Sequence, residues 1–214
     1  MTVAQRQVAE VYRALGRAGM NAGSSGNVSV RVSKGMVITP SGCSADTIKD
    51  DDGVRMALDG KARGKRPPSS EWFMHAAIYQ AYANAQAIVH THSDACTALA
   101  CLNEPLPAFH YLIVQFGGDN VHCAPYVTFG TPALADVAVA ALADRTACLL
   151  ANHGMIVYAG SADVALSRAI TLESLAQQYL LARAAGTVRL LTGVEMQAAR
   201  ERFKTYGAAA PRAK

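Results

Sequence analysis

The chain has 214 residues, of which 51% are hydrophobic and 17% charged, an ordinary globular balance from which we expect one domain spanning 1–214. No apolar run reaches the roughly 20 residues of a membrane helix, and the first 19 residues form an amphipathic pattern containing Glu10 rather than an apolar export core. The net charge of +4 is concentrated in KARGKR (61–66) and after Arg183, without interleaved aromatics or a nucleic-acid motif. It reads as solvated surface suited to an anionic small molecule, with neither nucleic acid nor membrane as a partner. Five cysteines (43, 96, 101, 123 and 148) make an odd set with no CxxC pair. We expect them to stay reduced in the cytoplasm.

In chain order, apolar periodicity predicts a helix over 3–19, strands near 27–32 and 35–39, and a third strand near 53–58. A Gly/Pro-rich loop at 59–68 leads to a helix over 69–82, a strand at 87–90 and a helix at 93–102. An apolar stretch at 111–116 and a strand at 121–124 follow. A helix from Pro132 leads to strands at 146–151 and 154–158, joined near Asn152-His153-Gly154, and helices over 161–184 and 193–205 close the chain. In the first of these two, Ala165, Ala169, Leu172, Ala176 and Tyr179 form a stripe that should be buried. The pattern predicts an α/β fold with a central mixed, mainly antiparallel sheet between helical layers.

Chemistry-bearing residues gather at the ends of these strands. NAGSSGNVSV is rich in glycine and serine directly before a strand, so backbone amides, Asn27 and hydroxyls can converge on an anion. TPSGCS makes a second tight turn with Ser41 and Gly42, and Ser69 and Ser70 add hydroxyls at a helix N-terminus. Each stretch is equally a turn or a serine cap. Glu71 falls in the first helical turn, where the macrodipole favours a carboxylate for structural reasons alone. His90 and His92 of VHTHS share a face of an extended chain, and His153 sits in a turn at the end of another strand. Three imidazoles and a carboxylate suit a catalytic divalent ion: the histidines would hold Zn²⁺ and leave a position for Glu71, water or substrate. His75, one helical turn from Glu71, reads as a hydrogen-bonded core histidine. Neither GxGxxG nor a P-loop occurs, so a nucleotide is not indicated.

GSSGNVSVR, ITPSG, PSSEW, VHTHS, HYLI, CAPYVTFGT, NHG and FKTYG occur in the order and spacing of the class II aldolase/adducin family, which the chain resembles from about residue 5 to Tyr206. The resemblance implies a three-layer α/β/α subunit in a cyclic homotetramer, with zinc sites near subunit interfaces. It implies zinc ligands at His90, His92 and His153, with Glu71 as acid/base and as a ligand when substrate is absent. Phosphate binding falls to Asn27, Ser41, Gly42, Ser69 and Ser70, and Tyr111 from a neighbouring subunit would be a second proton donor. The implied reaction is reversible cleavage of an L-fuculose 1-phosphate-like ketose 1-phosphate to dihydroxyacetone phosphate and a small aldehyde. Related readings are cleavage of 5-deoxyribulose or methylthioribulose 1-phosphate, pentulose 5-phosphate 4-epimerisation, sugar-acid decarboxylation, or a non-catalytic adducin-like scaffold. Residues 110–115 lack the carboxylate that such epimerases carry, and the scaffold reading does not need the full ligand set present here. CSAD (43–46) and VQFGG (114–118) depart from the family's fuculose-phosphate pattern and bear on the aldehyde pocket.

Overall fold

A computed structural model describes residues 1–206; Gly207 of the FKTYG motif and the rest of the 207–214 tail lie outside the described residues. The described elements are α1 (Val3–Arg17), β1 (Asn27–Val32), β2 (Gly35–Ile38), β3 (Val54–Met56), β4 (Ala62–Arg63), α2 (Trp72–Ala81), β5 (Ala87–Thr91) and α3 (Asp94–Cys101). A 3-10 helix (Tyr111–Phe116) follows, then β6 (His122–Ala124), α4 (Pro132–Ala141), β7 (Ala147–Leu150), β8 (Gly154–Ala159), α5 (Ala162–Ala185) and α6 (Gly193–Phe203). They build an eight-stranded sheet in the order β4-β3-β2-β1-β5-β8-β7-β6. Neighbours pair antiparallel except β6 with β7, which run parallel. The sheet is therefore mixed and mainly antiparallel.

Period-two alternation divides the central strands between two cores. Ala87, Val89, Ala147, Leu149, Met155 and Val157 face a core with residues of α1, α3 and α5. Ile88, Cys148, Leu150, Ile156 and Tyr158 face the opposite core with residues of α2 and α4. Both faces of the sheet are covered, giving three α/β/α layers. The expected stripe of α5 packs accordingly: Ala165, Ala169, Leu172 and Ala176 are buried, and Tyr179 is half-buried.

Local chemistry sets the helix ends. A Thr2/Gln5 capping box starts α1 and a Thr192/Glu195 box starts α6. In α3, Ser93 makes no side-chain cap bond. The carboxylate of Glu173 in α5 instead accepts from Ala95 N at 2.8 Å and Cys96 N at 2.9 Å. The loop expected at 59–68 contains the short edge strand β4, exposed on both residues. No described helix is long and apolar enough to cross a membrane, and the five cysteines are free thiols.

Candidate metal centre and its cavity

Register brings the ligands together. Antiparallel pairing of β1 with β5 sets Asn27 directly opposite His90, and β5 pairs Thr91 with Met155 at the start of β8. His153 lies in the three-residue turn between β7 and β8, where Asn152 takes the left-handed conformation (φ 55°). Gly154 makes the close approach possible: a Cβ there would lie 2.3 Å from Thr91 O and 3.2 Å from the His92 ring. Glu71 enters from the other side. The sequence pattern puts it in the first turn of α2, but the helix begins at Trp72 and Glu71 is its N-cap, with no side-chain cap bond. Its carboxylate, undistracted by capping, turns toward the histidines. The expected serine cap is reduced to a long contact in which Ser69 Oγ accepts from Glu71 N at 3.4 Å.

Glu71 Oε2 stands 3.0 Å from His90 Nε2, and Oε1 stands 3.1 Å from His153 Nε2. His90 Nε2 and His92 Nε2 are 3.0 Å apart, and all four candidate ligand atoms lie within 4.8 Å of one another. Atoms bound about 2.0–2.2 Å from one tetrahedral ion stand roughly 3.3–3.6 Å apart, close to this spacing. His90 Nδ1 donates to Met155 O at 2.8 Å, so in the neutral ring Nε2 carries a lone pair toward the cluster. Buried Glu71 Oε1 has no aligned hydrogen-bond partner among the described residues, despite the nearby His153. Converging lone pairs and an orphaned carboxylate oxygen are what a divalent cation would satisfy. The residues fit a metal.

Electrostatics favour a charged Glu71 and a neutral His92, and they raise His90: burial opposes its charge, but the Glu71 carboxylate and the Met155 carbonyl outweigh burial. Burial opposes charge on Glu71, yet His90 and His153 outweigh it and hold the carboxyl far below the usual range. Burial, then His90 and His153, lower His92 to about 4. At neutral pH the carboxylate is charged and His92 neutral, as ligands must be.

A cavity of about 310 Å³ opens from the cluster. Glu71, His92 and His153 line it together with Asn27, Ser41, Gly42, Ser69 and Ser70. The structure thus gathers all five expected phosphate residues beside three of the four expected metal ligands, with His90 buried behind. Ser24, Ser25, Gly26 and the exposed ring of Phe129 also line this space. The two serines lie inside GSSGN, but nothing in the sequence marks Phe129 as a wall. Tyr111 does not line this cavity. It is 51% exposed in a separate groove with Leu112, Gln115, Ala199, Phe203 and Tyr206.

His75 is fully buried and hydrogen-bonded, as expected of a core histidine. Its bonds lead to Asn27, whose Nδ2 donates to Glu71 Oε2 at 2.8 Å. Sequence reasoning missed that link. The spacing of Glu71, His75 and Tyr79 along one helix face was visible in the sequence, but not the strand residues Asn27 and Ser29 that join them.

Residues 6–180 match the family described as Class II Aldolase and Adducin N-terminal domain. A 5-methylthioribulose-1-phosphate/5-deoxyribulose-1-phosphate aldolase of Rhodospirillum rubrum is 43% identical over 189 residues, covering 88% of this chain and 86% of that protein. An L-fuculose phosphate aldolase of Escherichia coli O6:H1 is 42% identical over 203 residues, covering 94% of each. The solved structure of an L-fuculose 1-phosphate aldolase superposes with a TM-score of 0.91 at 38% identity, covering 95% of this chain and 97% of that one. The chain belongs to the class II aldolase and adducin family, and within it to the aldolases, which are lyases.

Proposed function

We propose that this aldolase reversibly cleaves an L-fuculose 1-phosphate-like ketose 1-phosphate to dihydroxyacetone phosphate and a small aldehyde, with zinc held by Glu71, His90, His92 and His153. One observation carries the reading: the four ligand atoms converge beside a cavity whose other lining residues, apart from Pro40 and Phe129, are neutral hydroxyl, amide and glycine positions. Zinc would supply Lewis-acid stabilisation of negative charge on the substrate's C2 and C3 oxygens. Ser41, Gly42, Ser69, Ser70 and the second Nδ2 proton of Asn27 would bind the phosphate through oriented dipoles near the start of α2. Glu71, with Oε2 held by Asn27, would move the proton at C3 through Oε1. Tyr111 of a second copy would serve the C4 oxygen, a reading supported by its exposure outside this chain's cavity. In the same reading the single 1–214 domain assembles as a cytoplasmic homotetramer.

The 43% identity to the Rhodospirillum rubrum enzyme favours a second reading, a 5-deoxyribulose or methylthioribulose 1-phosphate substrate. It shares the phosphate and metal ends and differs at the aldehyde. A pentulose 5-phosphate epimerase is disfavoured because residues 110–115 contain no carboxylate.

Glu71→Gln tests the central role. An amide cannot take the proton, so the variant should keep zinc on three histidines but lose exchange of the C3 proton of dihydroxyacetone phosphate with deuterated solvent. Exchange at the wild-type rate would refute the assignment.

A further inference from the structure

Behind the site, a helix face and a strand face interdigitate. Glu71, His75 and Tyr79 recur every four residues from the N-cap along α2, a rise of about 6 Å per step. Asn27 and Ser29 alternate on β1, a rise of about 6.8 Å. The matched spacings seat Asn27 between Glu71 and His75, and Ser29 between His75 and Tyr79. The contacts are Asn27 Nδ2 to Glu71 Oε2 at 2.8 Å, His75 Nε2 to Asn27 Oδ1 at 2.5 Å, Ser29 Oγ to His75 Nδ1 at 2.7 Å and Ser29 Oγ to Tyr79 OH at 2.9 Å. All five residues are buried. Arg31 closes the far end, its guanidinium 4.6 Å from the centre of the Tyr79 ring and bonded to Tyr79 O and Tyr82 O.

Donor and acceptor chemistry gives the chain one direction. An ionised carboxylate only accepts, so Asn27 must present its NH₂ to Glu71 and its oxygen to His75. His75 must then carry its proton on Nε2, leaving Nδ1 as an acceptor. Ser29 must therefore donate to Nδ1, and Tyr79 must donate to Ser29. Reversing any link would set two acceptors or two donors against each other in a buried space, which is costly. Burial, followed by the influence of His90, lowers His75 to about 3, and burial pushes the Tyr79 hydroxyl well up. His75 is thus neutral and Tyr79 protonated at neutral pH, as the chain requires.

We infer that Tyr79, Ser29 and His75 are positioning residues which, through Asn27, lock Glu71 Oε2 and leave Oε1 as the free oxygen facing His153. The inference rests on Glu71 being the proton-moving group. None of the three lines the cavity, so they act through Asn27 and not on substrate. A chain serving only to fill the core would be satisfied in either direction; this one is polarised by the carboxylate at its end.

The test has a structural and a kinetic arm. In metal-free wild-type protein labelled with ¹⁵N-histidine, long-range ¹H–¹⁵N spectra should show His75 as the neutral Nε2–H tautomer. An Nδ1–H tautomer or an imidazolium at neutral pH overturns the chain, whatever the enzyme's substrate proves to be. In zinc-loaded enzyme, His75→Phe should lower kcat roughly threefold to tenfold with KM within about twofold, the scale of one lost hydrogen bond between neutral groups. His75→Gln, whose amide can still donate to Asn27, should recover most of that loss. Equal kcat in wild type and His75→Phe, or no recovery with Gln, overturns the inference. Should His75→Phe fail to fold, Tyr79→Phe and Ser29→Ala must show the same kcat-selective loss in milder form, and unchanged kcat in both overturns it.

Discussion

Ser70 is exposed at the cavity rim while Ser69 beside it is buried, so only Ser70 has its hydroxyl free to meet a ligand fully. A phosphate keeps its charge through carbon–carbon cleavage, so a hydroxyl bound to it stabilises ground and transition states alike. Ser70→Ala should therefore retain zinc and raise KM for a phosphorylated ketose, by an amount set by a bond worth about 1.5–3 kcal/mol. The unphosphorylated ketose should be unaffected. Equal impairment on both would return the serine pair to a structural role. At this scale the three histidines of the candidate metal cluster were legible because histidine is scarce in the chain and their strand-end positions stood out. The Tyr79–Ser29–His75–Asn27 chain was not, because it depends on how β1 lies across α2, and no local pattern encodes a contact between residues 48 positions apart.

Elements hold the candidate ligands by borrowing from one another. The first amides of α3 are satisfied by Glu173, 77 or 78 residues away on α5, and α3 begins two residues after His92. This long-range cap ties the His92 end of β5 to the outer helix. Glu173→Ala should lower unfolding stability by about 1–3 kcal/mol, because two helix-end amides lose a charged acceptor, and should weaken zinc binding by loosening His92. Urea unfolding and a competitive zinc titration check both, and wild-type values in each would show the cap to be idle. Element type was readable wherever hydrophobic period was strong, as in α1, α5, β5, β7 and β8. Two elements escaped. The edge strand β4 is two exposed residues long and has no period to read. The apolar run 111–116 forms a 3-10 helix, buried at Ile113 and Phe116 and capped by His110, whose Nδ1 accepts from Leu112 N.

The whole molecule leaves one proposed catalytic group away from the cavity it would serve. Tyr111 is stacked near Phe203 with ring centres 6.1 Å apart, and both line the groove between the 3-10 helix and α6. Were Tyr111 to complete a neighbour's site, two inactive proteins should rescue each other. Glu71→Gln mixed equally with Tyr111→Phe, dissociated and reassembled, should regain up to about a quarter of wild-type activity, the share of sites with an intact Glu71 and an intact partner tyrosine in a cyclic assembly. No recovery in a confirmed hybrid would place Tyr111 outside the mechanism. The central claim, that this cavity cleaves ketose 1-phosphates with a metal on Glu71 and three histidines, is tested most directly by dihydroxyacetone phosphate release. A panel of L-fuculose, 5-deoxyribulose and methylthioribulose 1-phosphates would be assayed with zinc-loaded protein and again after chelation. The account predicts release from at least one ketose, abolished by the chelator and restored by zinc. Undiminished release from metal-free protein, or none from any of them with zinc bound, would contradict it.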